Sequence, residues 1–196
     1  MTEASPTSLR VFVALNLPLD VRAGIVAALA PLRESTPPGS VAWVAESNLH
    51  LTVRFLGEAP QDRVEALAAG LTAAVHGSAA PRLLLGGAGA FPSLARPRVL
   101  WLGVELNVAL AVLYQKVDDL CDTLGWGREA RPFRPHLTVG RIRHGRRPPH
   151  IDVAHLTPER WSTTVHSVDL MSSELAPGGA RYRRVHAAPL VPGGEG

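Results

Sequence analysis

The chain has 196 residues, 46% of them apolar, enough to bury a core as one domain or as two small lobes, which excludes general disorder. Its formal net charge is only +3, yet the sequence pI is about 9.7, because the basic side chains are almost all arginine and Lys116 is the only lysine. This permits a nucleic-acid substrate without demanding one, since an Ala-, Gly-, Pro- and Arg-rich composition alone gives the same figures.

A single cysteine, Cys121, excludes a disulfide framework and reads as a buried structural thiol. Met1–Leu9 lacks a cationic start and an apolar core, and no apolar run is long enough to span a bilayer, so the expected compartment is the cytoplasm.

Arg10–Asn16, rich in Val, Phe and Leu, reads as a buried strand. Pro18 then suits a helix start, and Val21, Ile25, Leu29 and Leu32 recur at helical spacing, so one amphipathic helix is expected before the Ser-, Pro- and Gly-rich break at 33–40. Leu49–Leu56 reads as a strand ended by Gly57, and Val64, Leu67, Leu71 and Val75 mark a second helix that stops before Gly77 and Pro81.

The second half repeats this order. Val99–Leu106 reads as a strand, Asn107 as the N-cap of a helix with Leu110, Leu113, Val117, Leu120 and Leu124 on one face, Gly125 as its stop, and His136–Arg143 as a further strand. The opening strands look alike (RVFVAL at 10–15, RVLWLG at 98–103), and each leads through a helix to the tetrapeptide His-Leu-Thr-Val, at His50–Val53 and His136–Val139. Two related halves, roughly residues 10–76 and 98–143, most simply pack around an approximate two-fold axis with their motif strands facing across a cleft. Residues 166–175 and 180–187 read as closing strands joined through Pro177-Gly178-Gly179, and 191–196 as a frayed tail. No linker divides the chain, so residues 1–196 are expected to form one domain.

Side chains alternate along a strand, so His50 and Thr52 point one way, and Leu51 and Val53 the other; the same holds for His136, Thr138, Leu137 and Val139. Each motif is therefore a strand with one apolar face and one face presenting an imidazole and a hydroxyl, about 6.5–7 Å apart at Cα. That span suits a small tetrahedral anion. Two imidazoles and two hydroxyls are the equipment for in-line displacement at phosphorus, in which a neutral histidine accepts a proton from the nucleophile and an imidazolium protonates the leaving oxygen. The threonines would bind the equatorial oxygens.

Neither motif has a further Asp, Glu or His on its polar face, so no metal is expected. A third His-Leu-Thr, at His155–Thr157, runs into Pro158 and reads as a turn with Thr157 as an N-cap. His76, His144, His150, His166 and His186 have no partner pattern, although His144 and His150 flank a basic loop with the makings of an RNA contact. Strand parity places Arg54 beside His50 and Thr52, and Arg134 beside His136; Arg141 has the opposite parity unless Gly140 introduces a bulge.

With these segments in view, the sequence resembles the 2H phosphoesterases, and among them the RNA 2′,3′-cyclic phosphodiesterases, also called 2′-5′ RNA ligases. The residues that carry the resemblance are the strand from Arg10, Asn48–Glu58 (NLHLTVRFLGE) and Arg131–Arg141 (RPFRPHLTVGR). It implies a bilobal α+β fold, two related antiparallel sheets lining a central cleft with helices on the outer faces, and no cofactor. It also implies hydrolysis of 2′,3′-cyclic phosphate ends to 2′-phosphomonoesters, with reversible ATP-independent 2′-5′ joining in some members. On matching positions His50 would be the proton donor and His136 the base, Thr52 and Thr138 would bind phosphate, and Arg141 would contact it. The expected partner is an RNA or oligonucleotide end bearing a cyclic phosphate, with no membrane and no obligate protein partner, the chain acting as a monomer. A phosphodiesterase of small cyclic or 2′-5′-linked nucleotides and a non-catalytic RNA-end-binding module are the alternatives.

Overall fold

Apolar residues at period two build more of this molecule into antiparallel strands than its helices take up, and the computed structural model describes residues 8–143, 161–176 and 179–193. In chain order the elements are β1 (Ser8–Asn16), α1 (Leu19–Ala28), α2 (Ala30–Ser35), β2 (Val41–Trp43), a 3-10 turn (Glu46–Asn48), β3 (His50–Pro60), α3 (Gln61–Val75), β4 (Arg82–Ser93), β5 (Arg96–Val104), α4 (Val108–Thr123), β6 (His136–Ile142), β7 (Trp161–Thr164), β8 (Ser167–Ala176) and β9 (Gly179–Pro189). The sheet order is β7-β4-β5-β6-β3-β1-β8-β9, with β2 beside β6.

The two expected sheets are thus halves of one curled, hydrogen-bonded path. They join at one paired position, Leu51 opposite Leu137, where β3 and β6 run antiparallel. Beyond it the motif strands diverge, and β2 takes the place beside β6, pairing Val41–Trp43 with Gly140–Ile142. Outward from the join, β3-β1-β8-β9 mirrors β6-β5-β4-β7, so an approximate two-fold passes through the leucine pair. Pairing aligns Leu15 (opposite Leu51) with Leu102 (opposite Leu137). The likeness between 10–15 and 98–103 is therefore offset by one residue, a slip that in a strand exchanges faces.

The main core lies between one face of this path and the helices: Val11, Val13, Leu15, Leu51, Val53, Leu137 and Val139 pack with Ile25, Leu67, Leu71, Leu113 and Val117. A second cluster, Phe12, Ala14 and Met171 with Tyr182 against it, covers the other face of β1 and β8. Burial on both faces explains why β1 lacks a clean alternation. Cys121 is fully buried in the main core, as expected of a structural thiol, and burial pushes it up to about 11.

Several elements differ from expectation. The single helix at 19–35 is two, broken at Leu29, because Pro31 in the first turn of α2 has no N–H to continue the α1 ladder. Gly57 does not end β3; at φ +75° it sits where β3 gains a residue against β1, between Val11–Gly57 and Phe12–Phe55. Strands β2, β4 and β7 were not expected. The Pro177-Gly178 turn, the third His-Leu-Thr, His144 and His150 lie outside the described residues. Asn107 caps α4 as expected, its side chain accepting from the Leu110 N–H at 2.9 Å.

Candidate active site

The leucine pair that joins the halves also sets the motifs against one another. Continuing the antiparallel register from Leu51–Leu137 places His50 across from Thr138 and Thr52 across from His136. All four polar side chains stand on the face opposite the main core, where they line two adjoining cavities. One, of about 310 Å³, is flanked by His50, Asn48, Phe12 and Tyr182; the other, of about 810 Å³, is flanked by His136, Phe91, Phe133 and several arginines. Thr52, Phe55, Thr138 and Arg141 line both.

Each histidine is held by the carbonyl two residues before it. His50 Nδ1 lies 2.8 Å from the Asn48 oxygen, and His136 Nδ1 lies 2.7 Å from the Arg134 oxygen. A carbonyl only accepts, so both Nδ1 atoms carry a proton and Nε2 is the nitrogen left for chemistry. His50 Nε2 is 3.0 Å from Thr52 Oγ1, accepting from the hydroxyl when the ring is neutral and donating to it when charged. Aromatic rings flank both: Phe12 and Tyr182 lie 4.9 and 5.3 Å from His50, and Phe91 lies 5.0 Å from His136, centroid to centroid.

Burial is the main cause that lowers the His50 pKa from its ordinary 6.5; the Asn48 carbonyl opposes it, and the charges of Arg141 and His136 reinforce it.

The arginines part company with the parity expectation. Pairing runs Val13–Arg54 then Ala14–Thr52, and Leu100–Gly140 then Trp101–Thr138, so Val53 and Val139 are each the extra residue of a bulge. A bulge reverses parity beyond it. Arg54 therefore turns away from His50 and is buried in ion pairs with Asp118 and Glu129, which corrects its placement on the motif face. Arg141 turns into the cleft and lines both cavities, through a bulge at Val139 rather than Gly140. Phe55 is its counterpart in the first half, with the Arg10 guanidinium 5.1 Å over its ring. Arg134 is exposed and lines the larger cavity beside His136.

Sequence reasoning missed Asn48, Phe12, Phe55, Tyr182 and Phe91. The signal for Phe12 was available: with Ala14 it makes the second face of β1 apolar, so that face must also be covered. Among the described residues, no three His, Cys, Asp or Glu side chains are grouped as a metal site requires, and no helix is long and apolar enough to cross a membrane.

A family model described as the 2′-5′ RNA ligase superfamily matches residues 21–176. Among curated proteins named RNA 2′,3′-cyclic phosphodiesterase, one from Geobacillus stearothermophilus is 32% identical over 79% of this chain, which spans only 49% of that relative's length. One from Thermotoga maritima is 30% identical over 78% of this chain and 73% of its own, and one from Escherichia coli K12 is 31% identical over 88% and 92%. E. coli LigT complexed with 3′-AMP superposes with a TM-score of 0.76 at 29% identity, covering 94% of this chain and 99% of that one. The phosphate complex of the same protein gives 0.72 at 28% identity, covering 93% and 98%.

Proposed function

The chain belongs to the 2′-5′ RNA ligase superfamily, and from that membership we propose that it opens RNA 2′,3′-cyclic phosphate ends to 2′-phosphomonoesters by two-histidine acid–base catalysis. The observation that carries the reading is the arrangement of two Nδ1-protonated histidines, each across from the other motif's threonine, around the join of the two halves. Water attacks phosphorus as His136 Nε2 takes its proton. The new P–O bond forms as the P–O3′ bond breaks, and His50 Nε2 delivers its proton to O3′. Thr52, Thr138 and Arg141 hold the two non-bridging oxygens as charge grows on them. The cycle needs no electron carrier and no metal.

His50 is the harder of these groups to reconcile with its role, because in the free site its charged form is disfavoured. An anionic phosphate seated beside Arg141 and the two rings favours the imidazolium against that burial and those charges, so substrate binding and protonation of His50 go together.

The RNA end, rather than a mononucleotide, is favoured by the larger cavity. Its lining includes Arg98, Arg131, Arg134 and Arg141, more guanidiniums than the single phosphate of a cyclic mononucleotide engages. A 5′-hydroxyl strand attacking there in place of water would give 2′-5′ joining by the same in-line displacement. We infer a monomer, since each chain carries both histidines, and the cytoplasm, since the single cysteine, Cys121, is a buried free thiol suited to a reducing compartment.

The test is turnover of an oligonucleotide 2′,3′-cyclic phosphate in excess chelator, with product analysis. The expected product is the 2′-phosphate, and His50→Ala and His136→Ala should each lose roughly 10²–10⁴-fold. A 3′-phosphate product, abolition by chelator or unimpaired alanine variants would each refute the reading.

A further inference from the structure

After its bulge, each motif strand reaches the same point with a different residue, Arg54 in β3 and Gly140 in β6. At Gly140 a Cβ would come within 2.8 Å of Val41 Cγ1 and 3.1 Å of Trp43 Cε3, so the second copy has no room for a side chain. At Arg54 the side chain is 7% exposed and its guanidinium is directed at the other half of the molecule. Its Nη2 donates to the Gly127 carbonyl at 2.7 Å, its Nη1 lies 3.1 Å from Glu129 Oε2, and its Nε lies 3.4 Å from Asp118 Oδ1, at ion-pair distance without a formed hydrogen bond. Asp118 Oδ1 in turn accepts the Glu129 backbone N–H at 3.1 Å.

The captured segment leads directly to the second motif. From Glu129 the chain runs through Arg131-Pro132-Phe133-Arg134-Pro135 to His136, with φ fixed at both prolines. Phe133 is stacked on Tyr114 of α4, centroids 4.2 Å apart and planes 8° apart. Few soft torsions therefore separate the Arg54 tether from the Arg134 carbonyl that holds His136 Nδ1. His50 has a different anchor: Asn48, whose carbonyl holds it, is tied to the Ala180 carbonyl by its own side chain at 2.7 Å.

We propose that Arg54 is a positioning residue for His136: from the first motif strand it fixes the 127–131 segment, which keeps the Arg134 carbonyl in place to accept the Nδ1 proton and leaves Nε2 as the free nitrogen in the cleft. Arg54 is among the residues lining the larger cavity, but its guanidinium is engaged by Gly127, Glu129 and Asp118, so its effect on the reaction runs through His136. Its kinetic consequence rests on the proposed function; the ring tautomer does not, being a property of the free protein.

The test is ¹⁵N-histidine NMR of neutral His136 and His50, together with kinetics, in Arg54→Lys, which keeps the charge and loses the fork. A second variant, Arg54→Met with Asp118→Asn, removes the buried cation together with the more buried of its two acidic partners and guards against failure to fold. The expected result in the folded variants is a mixed tautomer at His136, an unchanged tautomer at His50, and a kcat lower by about 10–100-fold, the loss seen when partners that orient metal-bound histidines are removed. KM should change little. A His136 tautomer identical to wild type would overturn the inference, whatever happens to kcat. A tautomer shift in a protein whose wild type leaves cyclic phosphates intact would support the positioning role and overturn the proposed function.

Discussion

Arg141 faces two demands in one cleft: it disfavours the charged form of His50 in the empty site, and it offers a guanidinium to the phosphate that restores that charge. The sign of the pH effect follows. His50 acts as an acid, so the free enzyme is competent only while it is protonated, and kcat/KM should fall as pH rises through a value below 6.5. The matching limb in kcat, which reports the occupied site, should lie higher. Arg141→Gln removes one of the causes of the depression, so the kcat/KM limb should move up even as KM rises. A pH profile of both parameters for the two proteins checks this, and a kcat/KM limb at or above 6.5 in the wild type would count against the acid role of His50. Arg54 and Arg141 also show where residue-level reading stops. Both motif strands have the same alternation up to Val53 and Val139, and there one extra residue reverses it. A bulge is defined by the partner strand, so parity counted along one strand has no access to it.

At the scale of elements, the helices α3 and α4 were readable because each repeats one apolar spacing without interruption, and the two motif strands because their alternation holds as far as Val53 and Val139. Strand β4 was not, because its middle, Gly86-Gly87-Ala88-Gly89, has the composition of a loop. The structure gives those glycines another reason. A Cβ at Gly89 would overlap the Trp101 ring, and one at Gly103 would come within 2.8 Å of the Gly86 oxygen, so β4 and β5 approach too closely for side chains there. Trp101 in turn lies 5.3 Å from Phe91, which packs against His136. Gly89→Ala should therefore displace Trp101 and cost about 1–3 kcal/mol by overpacking. For a chain of this size, that lowers Tm by about 2–4 °C per kcal/mol. Thermal unfolding measures it, and Trp101→Ala in the same background should recover part of the loss if the indole is what the methyl meets.

Across the whole molecule the two-fold is close in backbone and broken in side chains, and the break has a direction. The motifs, the bulges and the strand order obey it, which is why a duplicated tetrapeptide was enough to anticipate the meeting of two distant histidines. The cavities do not obey it: about 310 Å³ flanked by Phe12 and Tyr182 on the His50 side, against about 810 Å³ lined by Arg98, Arg131 and Arg134 on the His136 side. Arg131 is partly neutralised by Glu129 at 3.2 Å, whereas Arg98 and Arg134, both exposed, have no acidic partner among the described residues. If a single strand follows the larger cavity, its phosphates release counterions there, and the logarithm of kcat/KM at limiting substrate should fall with the logarithm of salt by about 0.7 per contact. Arg98→Gln with Arg134→Gln should then reduce that slope by about 1.4 on an oligonucleotide cyclic phosphate. On a cyclic mononucleotide, which has no further phosphates to place along that wall, the slope should stay near its wild-type value. Equal slopes for both substrates in the wild type, or a double variant that slows both alike, would assign the larger cavity to the terminal nucleotide and make the enzyme indifferent to the strand behind it.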